Sequence, residues 1–363
     1  MNLPAYKITT LAFLASVLVA CQDTENKPTE TTPEQPAVLQ PVVITDTVPN
    51  DTDDPAVWIN HANPAESLII GTDKDSSGGL YVFDLKGKMD TVRSVRGLGR
   101  PNNVDIEYGL ILNGKPVDIA VTTERFTHKL RIYSLPDMKP VDNGGIPVFE
   151  GEKQPEFRDL MGISLYKDPA GNIYAIAGRK TGPTDNTYLW QYLLKDDGKG
   201  NVKAELARKF GKYSGKKEIE AIAVDDKLGY IYYSDEQVGV RKYYADPAKG
   251  NQELALFADT GFAGDHEGIS IYSTSDSTGF IIVSDQQADQ FKIFAREGTA
   301  GAPHQHTLLR TVKVAAHESD GSESVSVPLG PDFPKGIFVA MSDERTFHYY
   351  KPEQLLGDSL LKK

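Results

Sequence analysis

Residues 219–246 read IEAIAVDDKLGYIYYSDEQVGVRKYYAD, and ELALFAD (253–259) follows close behind. Runs of β-branched and aromatic residues (IEAIAV, YIYYS, VRKYY, LALFA) alternate with the turn formers Asp225-Asp226, Gly229, Asp235 and Asp246. Short runs bounded in this way are strands, and the tight connections between them make neighbouring strands antiparallel. The stretch is therefore expected to be one four-stranded antiparallel sheet.

The same pattern recurs on both sides. Going outward, the triplets are DPAVWIN, SLIIGTD and GLYVFDL (54–85); NVDIEYG, PVDIAVTTE and KLRIYSL (103–135); and MGISLYKD, NIYAIAGRK and TYLWQYLL (161–194). Beyond the central one come HEGISIYS, GFIIVSDQ and DQFKIFAR (266–296), then ESVSVPLG, KGIFVAMSDE and TFHYYK (323–351). Weaker fourth runs, such as ELARKFG (205–211) and TLLRTVKV (307–314), follow several of the triplets. Repetition of a four-stranded unit about every 50 residues marks a β-propeller, whose blades bury their faces only against one another. The expected fold is all-β, a six-bladed propeller, in preference to a pair of sandwiches or an eight-stranded barrel. The sixth triplet lacks a fourth strand of its own, and Val42-Val43-Ile44-Thr45 is expected to supply it and close the ring.

The N-terminus has a different character. Lys7 precedes a thirteen-residue apolar run, Ile8 to Ala20, which is short for a bilayer span and has the form of an export signal. It ends in Leu-Val-Ala-Cys at 18–21, which is similar to the bacterial lipoprotein cleavage box, with Cys21 as the lipidated residue. The Pro-, Thr- and Glu-rich segment after it reads as a flexible tether. The expected organisation is a signal over 1–20, a tether over 21–41, the propeller over 42–355 and a tail over 356–363. An exported lipoprotein anchored at the cell envelope follows from it, with no membrane contact other than the lipid, and the body is expected to be a monomer.

Composition narrows the chemistry. A single Cys among 363 residues excludes an internal disulfide framework and a Cys-based zinc site. The net charge of −12 argues against nucleic acid. In an antiparallel pair the start of the first strand lies beside the end of the second, so these positions share one face of a propeller. First-strand entrances carry Asp53-Asp54, Asn102-Asn103 with Asp105, Glu218 with Glu220, Asp265 with Glu267, and Asp320 with Glu323. Second-strand exits carry Lys74, Arg125 and Arg179-Lys180 in the first three blades, then Asp235-Glu236, Asp285-Gln286 and Asp343-Glu344. Crowded carboxylates need a cation among them, and an all-oxygen donor set selects a hard ion such as Ca²⁺. A basic arc facing them would take an anion, with phosphate the best match to Arg. The pair His304/His306 lies in a Gly-, Pro- and Ala-rich stretch and is expected to be a solvated loop, while Trp58 and Trp190 fall within strands and are expected in the core. His266 has two readings, substrate contact or packing against the adjacent blade.

With those residues in place, the chain resembles the β-propeller phytases, calcium-dependent enzymes that release phosphate from inositol hexakisphosphate. The resemblance covers about residues 50–352. It is carried by DDPAVW (53–58), PNNVDIEY (101–108), GISLY (162–166), EAIAVDDKLGYIYYSDE (220–236), DHEGISIY (265–272) and LGPDFPKGIFVA (329–340). It implies several calcium ions held by Asp54, Glu220, Asp265, Glu267 and Asp320, with Glu236 joining them and Asp53 either joining or shaping the turn before Pro55. It implies phosphate binding by Lys74, Arg125 and Arg179 or Lys180, and a polar contact near the metals from Gln286. The implied activity is that of a phosphoric monoester hydrolase of 3-phytase type. A metal-held water would attack phytate, with Glu236, Lys74 and Arg125 at the reacting phosphate. Three positions depart from the family. Asp75 follows Lys74 where a second Lys is usual, Met161 replaces a Tyr, and the loop 314–324 places Val314 where an Asp is expected. These departures keep two other readings in view: a surface-anchored, calcium-stabilised binding propeller, or a calcium-dependent hydrolase of another ester.

Overall fold

The computed structural model describes Met1 and residues 37–361. The expected signal, Cys21 and the tether up to residue 36 lie outside the described residues. The body, Ala37–Lys363, holds six antiparallel sheets, one for each repeat. Blade 1 comprises Thr52–Trp58, Leu68–Asp73, Gly78–Phe83 and Met89–Leu98. Blade 2 begins with Pro101–Leu112, Lys115–Glu124 and Lys129–Leu135, and two short pieces, Lys139–Pro140 and Ile146–Pro147, edge its third strand. Leu160–Lys167, Ile173–Arg179, Leu189–Asp196 and Val202–Phe210 form blade 3. Blade 4, the stretch quoted first, is Ile222–Asp225, Tyr230–Asp235, Gly239–Tyr244 and Ala255–Phe257. Blade 5 consists of His266–Ser273, Gly279–Asp285, Gln290–Ala295 and Leu308–Lys313.

Blade 6 draws on both ends of the body. Ser322–Val325, Ile337–Ser342 and Thr346–Tyr350 are completed by Val43–Ile44, which pairs Val43 with Tyr349 and Ile44 with His348. The expected closure is the observed one. It extends further than expected, because Leu39 exchanges backbone hydrogen bonds with Lys313 and Ala315 at 2.9 and 3.0 Å. Residues 37–41 thus fall within the body, with Leu39 paired on the rim of blade 5. The segment 356–363, expected as a tail, is also packed as far as it is described. Helices Pro352–Leu356 and Asp358–Leu361 press Leu355 and Leu356 into the cluster between blades 5 and 6.

Burial is shared between neighbours. Ile69 joins a cluster with Phe347 and Tyr349 of blade 6, while Ile70, the next residue, joins one with Ala120 and Tyr133 of blade 2. Six such clusters fill the six gaps between blades. Successive strand residues point to opposite faces, so a strand covered on both sides must be apolar at consecutive positions. This is why SLIIGTD and GFIIVSD show almost no alternation. Trp58 and Trp190 are buried in these gaps, as expected.

Four first strands carry a register shift at their entrance, between Thr52 and Pro55, Pro101 and Val104, Leu160 and Ile163, and His266 and Ile269. Across each shift the partner is the end of the second strand: Asp73, Glu124, Arg179 or Asp285. A bulge bends a strand and re-aims the side chains around it. Here it occurs where the chain meets one end of the propeller.

Candidate active site

Side chains from successive blades link into a ring at that end. Lys74 Nζ of blade 1 lies 2.7 Å from Asp53 Oδ1 and also contacts Asp320 from the loop before blade 6. Asn102 Nδ2, at the start of blade 2, donates to Asp53 Oδ2 at 3.1 Å and to Glu220 Oε1, before blade 4, at 3.2 Å. Glu218, Glu220 and Glu236 each bring a carboxylate oxygen within 4.8 Å of the others, and so do Glu236, Asp265 and Glu267. Gln287 Nε2 donates to Asp265 Oδ2 at 3.0 Å and to Gln286, whose own amide donates to Asp320. The ring closes there.

The electrostatics are those of an acid cluster with less counter-charge than its carboxylates carry. Glu236 and Glu267 are almost wholly buried. Among the described residues Glu236 Oε1 and Glu267 Oε2 lack a hydrogen-bond partner, and Glu236 Oε2 faces the Lys217 ammonium at 3.1 Å. Burial pushes Glu236 up to about 9 despite the opposing Lys217, and pushes Glu267 well above the carboxylate range, with Glu236 and Glu220 adding to the rise. Burial would lower the Lys74 ammonium, but Asp53, Glu220 and Asp320 outweigh it and hold the group protonated. Two carboxylate triads sharing Glu236, with no sulfur or imidazole among them and with Glu236 Oε1 and Glu267 Oε2 left without a donor, fit a hard divalent cation. The residues placed to hold one are Glu220, Glu236, Asp265 and Glu267, with Asp53 and Asp320 alongside.

The cationic residues separate by position. Arg125 is buried, its Nε donates to Leu160 O at 2.9 Å, and its guanidinium packs against the Met161 sulfur. Burial lowers its pKa first, and the charge of nearby Arg100 adds to this. Lys180 is exposed, with Nζ 3.1 Å from Glu218 Oε2. Arg179 is fully buried and turned outward: Nε donates to Tyr188 O at 2.8 Å, Nη1 to Glu152 Oε1 at 2.9 Å and Phe157 O at 3.0 Å, and Nη2 to Thr187 O at 2.9 Å. With those donors engaged, Arg179 braces the loop that follows it, which leaves Lys180, the other of the two expected alternatives, as the exposed cation of blade 3.

Asp54 also departs from its neighbours. It accepts from Val104 N at 3.1 Å and lines the axial cavity of about 340 Å³ with Asp105 and Glu323, within electrostatic reach of Glu220. The expected solvated loop at His304 and His306 is likewise corrected for His306. It is buried against Phe257, bonded to Ala295 O at 2.7 Å, with Nε2 3.1 Å from Lys242 Nζ. His266 takes the packing alternative, stacked on Phe262 at 3.9 Å and bonded to Ala258 O. Sequence reading passed over Arg100 and Lys217. Neither falls at a second-strand exit, the only positions where that reading sought cations. Arg100 lies beside Arg125, whose N–H donates to Arg100 O at 3.1 Å, and Lys217 lies against Glu236 and Asp265.

A profile described as phytase matches residues 7–350. The chain belongs to the phytase family. Over 301 residues, 80% of this chain and 74% of the relative, it is 30% identical to the 3-phytase of Bacillus subtilis (strain 168). Among solved structures it is similar to the WD40 beta propeller domain of Doa1, with 11% identity and a TM-score of 0.49 over 82% of this chain and 78% of that one. The phytase-family chain is accordingly a hydrolase, and the ring of carboxylates and cations at the bulged end of its propeller is the candidate for its reaction centre.

Proposed function

We propose that this chain is a calcium-dependent phytase that hydrolyses phosphate monoesters of myo-inositol hexakisphosphate at the bulged face. The observation carrying this reading is the pair of carboxylate triads sharing Glu236, with buried oxygens left without partners, beside the cations Arg125, Arg100, Lys74 and Lys180. Calcium, which Glu220, Glu236, Asp265 and Glu267 would hold, would supply positive charge for the phosphate oxygens and acidify water.

The protein's own residues do the rest. Arg125 is anchored through Nε to Leu160 O, with Nη2 against the Met161 sulfur, so its guanidinium is held in one orientation with Nη1 left to bind a phosphate. Lys180, exposed and tethered only by Glu218, orients a second phosphate of the same polyanion. Lys74, fixed between Asp53 and Asp320, keeps a permanent positive charge at the junction of blades 6 and 1. Buried walls exclude bulk water from around Lys74 and Arg125 and so strengthen their charges. The N-terminal signal and Cys21 support an exported, lipid-anchored enzyme, which mass spectrometry of the mature N-terminus tests.

The test of function is inorganic phosphate release from phytate, simple phosphomonoesters and lactones at fixed calcium, repeated after chelation. Release from phytate that disappears with chelator and returns with calcium is expected. Undiminished release without calcium, or activity on lactones alone, overturns the proposal.

A further inference from the structure

Lys217 stands in the loop between blades 3 and 4. Its carbonyl accepts a hydrogen bond from the Tyr213 hydroxyl, and the Tyr213 ring packs on Tyr188 at 4.3 Å, so the backbone under the side chain is pinned. From there the ammonium crosses to blade 5. Nζ contacts Asp265 Oδ2 and lies 3.1 Å from Glu236 Oε2. These are two of the three residues in the triad completed by Glu267. Lys216, next in the chain, is exposed and reaches only the Gln237 carbonyl, at 3.4 Å.

An ammonium and a divalent cation cannot share the same carboxylate oxygens, because like charges so close repel by several kcal/mol at protein dielectrics. One unit charge also leaves three carboxylates under-compensated. The Lys217 side chain is 37% exposed, so it can leave toward solvent. Resting on the calcium reading given above, we infer that Lys217 is a resident counter-ion of the Glu236–Asp265–Glu267 triad, which calcium must displace, and that it thereby sets the calcium concentration at which the site fills. The protein carries a stand-in cation that keeps its acid cluster folded when calcium is scarce. The cost is a weaker hold on the metal at that subsite.

Calorimetric calcium titration of chelator-stripped protein, paired with thermal melts, tests this. For Lys217→Gln the number of bound ions is expected to match wild type, while half-saturation of the weakest class falls about tenfold. The same variant is expected to melt below wild type in chelator and to lose that deficit in saturating calcium. Lys217→Arg, which keeps the charge, and Lys216→Gln, which removes a charge outside the triad, are expected to titrate as wild type. A Lys217→Gln protein with the wild-type calcium curve and the wild-type melt in chelator overturns the counter-ion role while leaving the calcium reading intact. A wild-type protein that binds no calcium overturns the calcium reading itself, and is read without any variant.

Discussion

Arg179 and Lys180 adjoin in sequence, yet one is sealed into a wall and the other faces water. Lys180→Gln should raise KM for phytate several-fold, about 1 kcal/mol of phosphate attraction, and leave the melting temperature almost unchanged. Arg179→Gln should do the reverse, costing about 3 kcal/mol of stability by stripping Glu152 and three carbonyls of their donor, with KM nearly constant in the folded fraction. Steady-state kinetics and chemical denaturation on the two variants check the division. His306 gives a second, pH-linked outcome. Burial, helped by the Lys242 charge, pushes it down to about 4 from an ordinary 6.5. Between those values the unfolded chain binds a proton that the native one does not, so stability is complete above about pH 6.5 and declines as pH falls toward 4. The contribution is roughly 3 kcal/mol, and His306→Gln should flatten that part of the stability–pH curve measured by urea denaturation. At this scale the sequence was legible for the acids, whose positions at strand entrances follow from the repeat. It was ambiguous for adjacent cations, because a one-residue difference at the end of a strand decides between wall and water, and no pattern in RKTG distinguishes them.

At the level of elements, the bulged first strands decide where acids point. Gly162 lies in the bulge of blade 3, where an added Cβ would sit 1.9 Å from the Glu220 carbonyl oxygen. Gly268 occupies the matching position in blade 5, where a Cβ would come 2.7 Å from Ser322 N. Both glycines let one blade's entrance approach the next closely enough to bring the carboxylates together. Gly162→Ala should force the 220 backbone away, costing about 1–3 kcal/mol and weakening calcium binding, which melting and calcium titration on the same sample would show together. Strands and their grouping could be read from runs such as YIYYS and GFIIVS, since apolar periodicity reports burial directly. The bulges could not, because an extra residue in one strand leaves no compositional trace until its partner's register is known. That is also why Asp53 and Asp54, alike in sequence, find different partners: Asp53 bonds Lys74 and Asn102, while Asp54 accepts from Val104 N and lines the axial cavity.

Over the molecule as a whole, the ring is fastened by a short seam. Val42 N donates to Tyr349 O at 2.8 Å, Thr45 N to Phe347 O at 3.0 Å, and Phe347 N to the Thr45 hydroxyl at 2.9 Å. Compared with a chain that begins at Ala37, one that begins at Asp46 should melt about 5–10 °C lower through the loss of several backbone hydrogen bonds and the cover over blade 6, as calorimetry of the two truncated proteins would show. The seam was foreseeable, because a triplet short of a strand needs one from elsewhere and VVIT was available. The packed helices after Pro352 were less so, since LLGDSLL is too short to show a helical period. The same seam has a temporal consequence. Thr45 and the backbone it meets at Phe347 are 302 positions apart, so during synthesis the earliest strand leaves the ribosome long before its partner exists. Since both carboxylate triads and Asp320 span blades 4 to 6, a nascent chain cannot complete the ring until its last blade has docked and the waiting N-terminal strand has latched onto it. With the proposed reaction centre in that ring, activity would begin with the final stitch, and a truncated translation product should be inert even though most of its blades are present.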